Sequence, residues 1–184
     1  GVQTCALPIS NGIQGTQGVQ GLQGVQGRDG SQGAGGALAH YGSFYDTNDQ
    51  TAASANTAYP MKLNTTVENN GVVITNDGSG NPTKINFTYA GTYNIQFSAQ
   101  LSTTNSSQEN VQIWLAINGT YVTESNTDVT LAGNGQKVVP AWNWVTTLNA
   151  NDYVQIFWAT TSTNVKIDGS LVGLDGSQIG RAHV

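Results

Sequence analysis

From Gly12 to Gly36 a glycine stands at every third position: Gly12, Gly15, Gly18, Gly21, Gly24, Gly27, Gly30, Gly33 and Gly36. Only glycine fits at the crowded axis of three polyproline-II chains wound together. An unbroken period of three therefore predicts a triple helix, and with it three copies of the chain. A flexible Gly/Gln linker has no reason to keep nine glycines in register. The triplets contain no proline, and Gln fills the third place of six of them. A short, proline-free triple helix is marginal alone, so it needs a neighbouring domain to hold three chains together. About 25 residues at roughly 3 Å rise give a rod of about 75 Å.

The extreme ends read differently. Thr4–Ile9 can be back-translated as ACG TGT GCT CTT CCG ATC, and the reverse complement of that stretch, read one frame over, encodes Ile-Gly-Arg-Ala-His-Val, the residues at 179–184. Two ends of one protein have no reason to be reverse complements. Both resemble translated sequencing-library adapter and are set aside from fold reasoning. On that reading residues 1–10 and 179–184 carry no biology, Cys5, Pro8, Arg181 and His183 included. The natural part is a fragment open at both ends.

Past Gly36 the composition turns to Asn, Thr, Ser and aromatics, within a chain holding 19 Asn, 22 Thr and only 9% charged residues. Period-two alternation recurs, as expected for half-buried strands. Tyr93, Ile95, Phe97, Ala99 and Leu101 alternate with Asn94, Gln96, Ser98 and Gln100, and Val111, Ile113, Leu115 and Ile117 run into the turn dipeptide Asn118-Gly119. Further strands are expected over 40–47, 72–75, 83–89, 121–131, 137–148 and 152–160, with tight connections at Asn70-Gly71 and Asn134-Gly135. No stretch has a helical pattern. The expected fold is an all-β antiparallel sandwich.

The order of these segments resembles a known family. A collagen-like stalk running into a Gly/aromatic-rich β-sandwich is similar to the jelly-roll superfamily of the first complement component's globular head and tumour necrosis factor. Tyr-Ala-Gly-Thr-Tyr-Asn-Ile-Gln-Phe-Ser-Ala-Gln-Leu (89–101), Asn-Val-Gln-Ile-Trp-Leu-Ala-Ile-Asn-Gly-Thr (110–120) and Leu-Asn-Ala-Asn-Asp-Tyr-Val-Gln-Ile-Phe-Trp (148–158) carry the likeness. Asn151 stands where the family's last turn has glycine, a tolerable change because Asn also adopts positive φ. The resemblance implies an 11–36 collagen-like stalk, a 37–168 jelly-roll head, and a 169–178 loop cut before a final hydrophobic strand. That strand belongs between the first strand and the Tyr93–Leu101 strand, so an open slot or exposed edge is expected there.

Little in the chain suggests chemistry. One Cys excludes a disulfide framework or zinc knuckle. A net charge of −5 with six Lys plus Arg disfavours nucleic acid. No apolar run approaches the roughly 18 residues of a membrane span. His40 is the only histidine outside the adapter-like ends, and a lone histidine is far more often a surface or packing residue, so no catalytic residue is assigned and no enzyme is expected. The acid pairs Asp46 with Asp49 and Glu124 with Asp128 sit among Asn and Thr that keep them solvated. No cofactor is assigned. Asp46, Asp49 and Asp77 are weak candidates for calcium, with plain turns as the default, since the helix-loop-helix spacing is missing. Tyr41, Tyr45, Trp142 and Trp144 are expected in the core or at a three-fold interface.

These readings converge on a homotrimer. The expected function is the adhesive tip of a trimeric bacteriophage fibre on the virion surface, binding a host cell-surface glycan or protein through loops such as 102–109 or 124–136. A bacterial surface or spore-coat collagen-like filament is the alternative.

Overall fold

The computed structural model describes residues 39–169. The glycine triplets, both adapter-like ends and the 169–178 loop from Ser170 onward lie outside them. The strands among the described residues are β1 (Tyr41–Tyr45), β2 (Gln50–Thr51), β3 (Tyr59–Pro60), β4 (Thr65–Asn70), β5 (Val72–Asn76), β6 (Pro82–Phe87), β7 (Gly91–Ser98) and β8 (Leu101–Thr103). They continue with β9 (Glu109–Ile117), β10 (Thr120–Tyr121), β11 (Thr127–Leu131), β12 (Lys137–Val138), β13 (Ala141–Leu148), β14 (Tyr153–Thr160) and β15 (Val165–Ile167). There is no helix among the described residues. The fold is an all-β antiparallel sandwich.

One layer is a continuous sheet, β10-β9-β14-β6-β5, with β11 on β9 and β3 on β14. Val111, Ile113 and Leu115 of β9 and Val154, Ile156 and Trp158 of β14 point to one side and are buried, as period-two geometry requires. Ile85 and Phe87 of β6 join them in a single apolar cluster with Phe44 of β1 and Ile95 and Phe97 of β7.

The facing layer is pieced together. β13 pairs with β7, β12 with β8, and β1 with β4. β12 and β13 are halves of one strand, interrupted where Pro140 cannot donate to a ladder. β7 and β8 are likewise interrupted at Ala99–Gln100. β15 lies between β8 and β2, antiparallel to both. β2 carries on from β1 and β8 from β7, so β1 and β7 run parallel to each other with a gap between them. Among the described residues they do not pair.

The connections follow the sequence signals closely. Asn118 and Gly119 have φ of 51° and 81°, the pair of left-handed residues that a two-residue hairpin needs. Asn151 has φ 69°, so asparagine does hold the turn conformation expected of it. Asn70-Gly71 is a tight connection of another kind. It passes the chain from β4, paired with β1, to β5, paired with β6.

Candidate functional site

The parallel course of β1–β2 and β7–β8 gives the sandwich two distinct ends. At one end the chain enters β1, and His40 stacks on Tyr89 at 4.0 Å, just before β7. At the opposite end lie the loops after β8 and before β12. The Asn134 N–H donates to the Asn105 carbonyl at 2.6 Å, and the Thr104 N–H donates to the Asn164 carbonyl at 3.3 Å. Gly133, with φ +88°, lies so close to this loop that a Cβ there would come within 2.6 Å of the Ser106 and Ser107 carbonyl oxygens. Only a residue without a side chain fits.

Residues 104–108 and 132–136 thus form one surface, rich in Asn, Ser, Gln and Gly, with most side chains exposed. Glu109 anchors it from beneath. Its buried carboxylate accepts hydrogen bonds from the Asn105 amide and, at 2.5 Å, the Thr161 hydroxyl. Of the two loop regions expected to touch a partner, 102–109 contributes 104–108 to this surface, whereas Ser102 and Thr103 are buried in β8 and Glu109 is buried at the start of β9. The 124–136 region divides: 132–136 joins the cluster, whereas Ser125 lies along the side, where its hydroxyl accepts from the Leu115 N–H at 3.0 Å.

Asp46 is buried, and its carboxylate accepts the Asn48 N–H at 3.0 Å and the Gln50 side-chain amide at 2.9 Å. Burial pushes its carboxyl upward, against the opposing pull of these bonds and of Lys62. Asp49 binds Lys166 at 2.7 Å and accepts the Gly169 N–H at 3.0 Å. Asp77 accepts the Asn81 and Ser79 N–H groups at 3.0 and 2.8 Å and the Thr83 hydroxyl at 3.2 Å. The Asn81 bond leads in holding its carboxyl below the usual range. Each candidate calcium ligand is thereby engaged by the chain's own donors, and no group of three or more His, Cys, Asp or Glu gathers among the described residues. Of the aromatic candidates, Trp142 and Trp144 pack on the core side against Phe97 at 5.1 and 6.2 Å. Tyr41 is half exposed and Tyr45 partly buried.

Two buried acids escaped sequence reasoning. Glu109 continues the odd-numbered alternation of Val111, Ile113 and Leu115, so its position on the buried face was available. Asp168 gave no such signal. It accepts the Ser102 hydroxyl at 2.9 Å and pairs with Lys166 at 3.0 Å. The hydrogen bonds of Lys166 to Asp49 and Asp168 raise its ammonium pKa. Together these groups clasp β15 to its neighbours.

No family model matches the chain, and no curated protein matches it.

Proposed function

We propose that this chain is the tip of a trimeric bacteriophage fibre: a collagen-like stalk over 11–36 bearing a jelly-roll head that adheres to the host surface. The observation that carries the adhesive reading is the convergence of 104–108 and 132–136 at the end of the sandwich opposite the point where the chain enters it. The amides, hydroxyls and backbone groups of this surface suit hydrogen bonding to a glycan or polar protein surface, without charge or a nucleophile. The mechanism is multivalency, in which three weak sites at fixed spacing exceed the affinity of one by about 100-fold or more. Tyr41 and the exposed side of β7 and β13, where Val145 is 67% exposed, are the surfaces this proposal assigns to contacts between copies.

The test is binding of the full chain to host cells or to a glycan array, with Ser107 and Gln108 both replaced by alanine. A loss of tenfold or more with an unchanged circular dichroism spectrum is expected. Unchanged binding would remove the assignment, and turnover of any arrayed glycan would contradict a purely adhesive role.

A further inference from the structure

The outward face of the continuous sheet carries a second built surface. Val111, Ile113 and Leu115 of β9 point into the core, so Asn110, Gln112, Trp114 and Ala116 point away from it, as period two requires. On β14 the same alternation turns Phe157 and Ala159 outward. The register sets Trp114 beside Phe157 and Gln112 beside Ala159.

Three rings gather on this face. Trp114 and Phe157 lie nearly parallel, 18° apart with centroids at 6.1 Å. Tyr121 stands across both, at 86° and 5.5 Å from Trp114 and at 70° and 5.2 Å from Phe157. Tyr121 pairs with Ala116 across β10 and β9, and to meet Phe157 on β14 its ring must pass over that alanine. This accounts for the complete burial of Ala116 on an outward-facing position. Tyr121 itself remains exposed. The indole nitrogen of Trp114 is turned away from solvent and meets no hydrogen-bond partner among the described residues, so the ring presents carbon outward.

The second alanine has no such cover. Around Ala159 lies a depression of about 230 Å³, walled by Asn56, Asn110, Gln112 and Thr161. The Asn110 carbonyl oxygen accepts the Thr130 hydroxyl at 3.2 Å, which leaves its amide donors open. The side-chain amides of Asn56 and Gln112 are exposed. The lining holds no Lys or Arg, and Asp128 stands opposite Gln112. Rings and depression are one outward step apart along the strands, about 7 Å.

This pairing selects its guest. An anion would find a carboxylate nearby and no cation. An aliphatic ligand would strip water from the amides without replacing their hydrogen bonds. A pyranose suits both halves: its C–H bonds pack on the electron-rich faces of aromatic rings, and its hydroxyls donate to and accept from amides. We propose that this face binds a neutral glycan segment of at least two linked hexoses. One hexose stacks on the Trp114, Phe157 and Tyr121 rings, and its neighbour occupies the depression over Ala159, held by Gln112, Asn110 and Asn56. Apolar rings supply contact area while a few placed polar groups fix orientation. The site is on the sheet face, apart from the 104–108 and 132–136 surface, and does not rest on the fibre reading.

The test is titration calorimetry of the full chain with cellotetraose, maltotetraose and mannotetraose as neutral probes and sialyllactose as the anionic control. At least one neutral probe is expected to bind saturably, and the anionic control is not. Trp114→Ala and Gln112→Ala should each weaken binding by about tenfold, whereas Trp114→Phe should retain most of it. Gln112 is exposed, so its replacement reads the site even where Trp114→Ala disturbs the fold. Replacing Ser107 and Gln108 with alanine should leave this binding unchanged, which separates the site from the adhesive loops. No binding by any neutral probe, or binding indifferent to Gln112→Ala, would overturn the proposal. So would a change in sedimenting mass on Trp114→Phe, which would assign the rings to a contact between copies.

Discussion

The two layers of the sandwich are built from equally good strand sequence, yet among the described residues only one of them is closed. In the first, β9 and β14 pair without a break from Val111–Thr160 to Ile117–Val154, and both strands are covered on either side. In the second, β7 has the same alternation of Ile95 and Phe97 with polar residues, but among the described residues it pairs only with β13. Its other edge faces a groove lined by Gly42, Asn94, Gln96 and Trp142. The difference does not lie in β-propensity. It lies in whether the described residues supply a partner strand, because a strand contributes fully only when its neighbours remove both its apolar face and its edge groups from water.

The sharpest probe of that contrast is a matched pair of truncations. Ile113→Ala, in the closed layer, is expected to cost about 4 kcal/mol, because the fully enclosed site cannot collapse. Ile95→Ala, beside the groove, is expected to cost only about 2 kcal/mol, since part of its methyl surface already borders open space. Urea denaturation of both variants measures the difference. Equal losses would mean that the groove is filled.

The clasp at β15 comes next. Asp168→Ala is expected to cost about 2.5 kcal/mol, the worth of hydrogen bonds to a buried charge. It should also speed hydrogen exchange in β8 and β2 while leaving β9 and β14 slow. A uniform effect on both layers would show that β15 does not join the pieced layer separately. At the loop cluster, Gly133→Ala is expected to cost about 2 kcal/mol through strain at positive φ and collision with the Ser106 and Ser107 carbonyls. Gly135→Ala, at φ +77° with open space around it, should cost about 1 kcal/mol. Calorimetry that ranks the two the other way would break the account of that end.

The smallest effect is one of pH. The Asp77 carboxyl is held below its ordinary range by the Asn81 N–H first and then by Ser79 and Thr83. A lowered folded-state pKa means stability that is present above the unfolded carboxylate value and lost as pH falls through the folded one. Asp77→Ala is therefore expected to be less stable by about 1 kcal/mol at pH 6. The gap to the parent should narrow as the medium is acidified below about pH 4. A gap independent of pH would mean that the turn does not depend on the ionised carboxylate.

Much of the closed layer was legible in the sequence. The alternation of Val111 to Ile117 and the Asn118-Gly119 turn mark β9 and its hairpin directly, because their partners reward a simple in–out period. The pieced layer was harder. β4 (Thr65–Asn70) has Val67 as its only strongly apolar residue, and Val67 is exposed, so no pattern announced the strand. Over 121–131 the sequence suggests one strand, but the chain turns through Val122–Asn126 between β10 and β11. Over 137–148 Pro140 divides what reads as continuous. Of the loop surface, its residue types could be read, but the meeting of 104–108 with 132–136 could not. That meeting depends on Gly133 lying against carbonyls about 26 residues earlier, a contact no local pattern encodes. Asp168 was hidden for the same reason, since Ser102 of β8 and Lys137 of β12, which it pairs with, lie far back along the chain.

The central claim is that the chain acts as three. Sedimentation equilibrium of the full chain measures this directly, across a concentration range and at a temperature where the glycine triplets are expected to wind. The account predicts a mass of three chains, with a collagen-like circular dichroism signal that melts as the trimer dissociates. A single-chain mass at every concentration would contradict it.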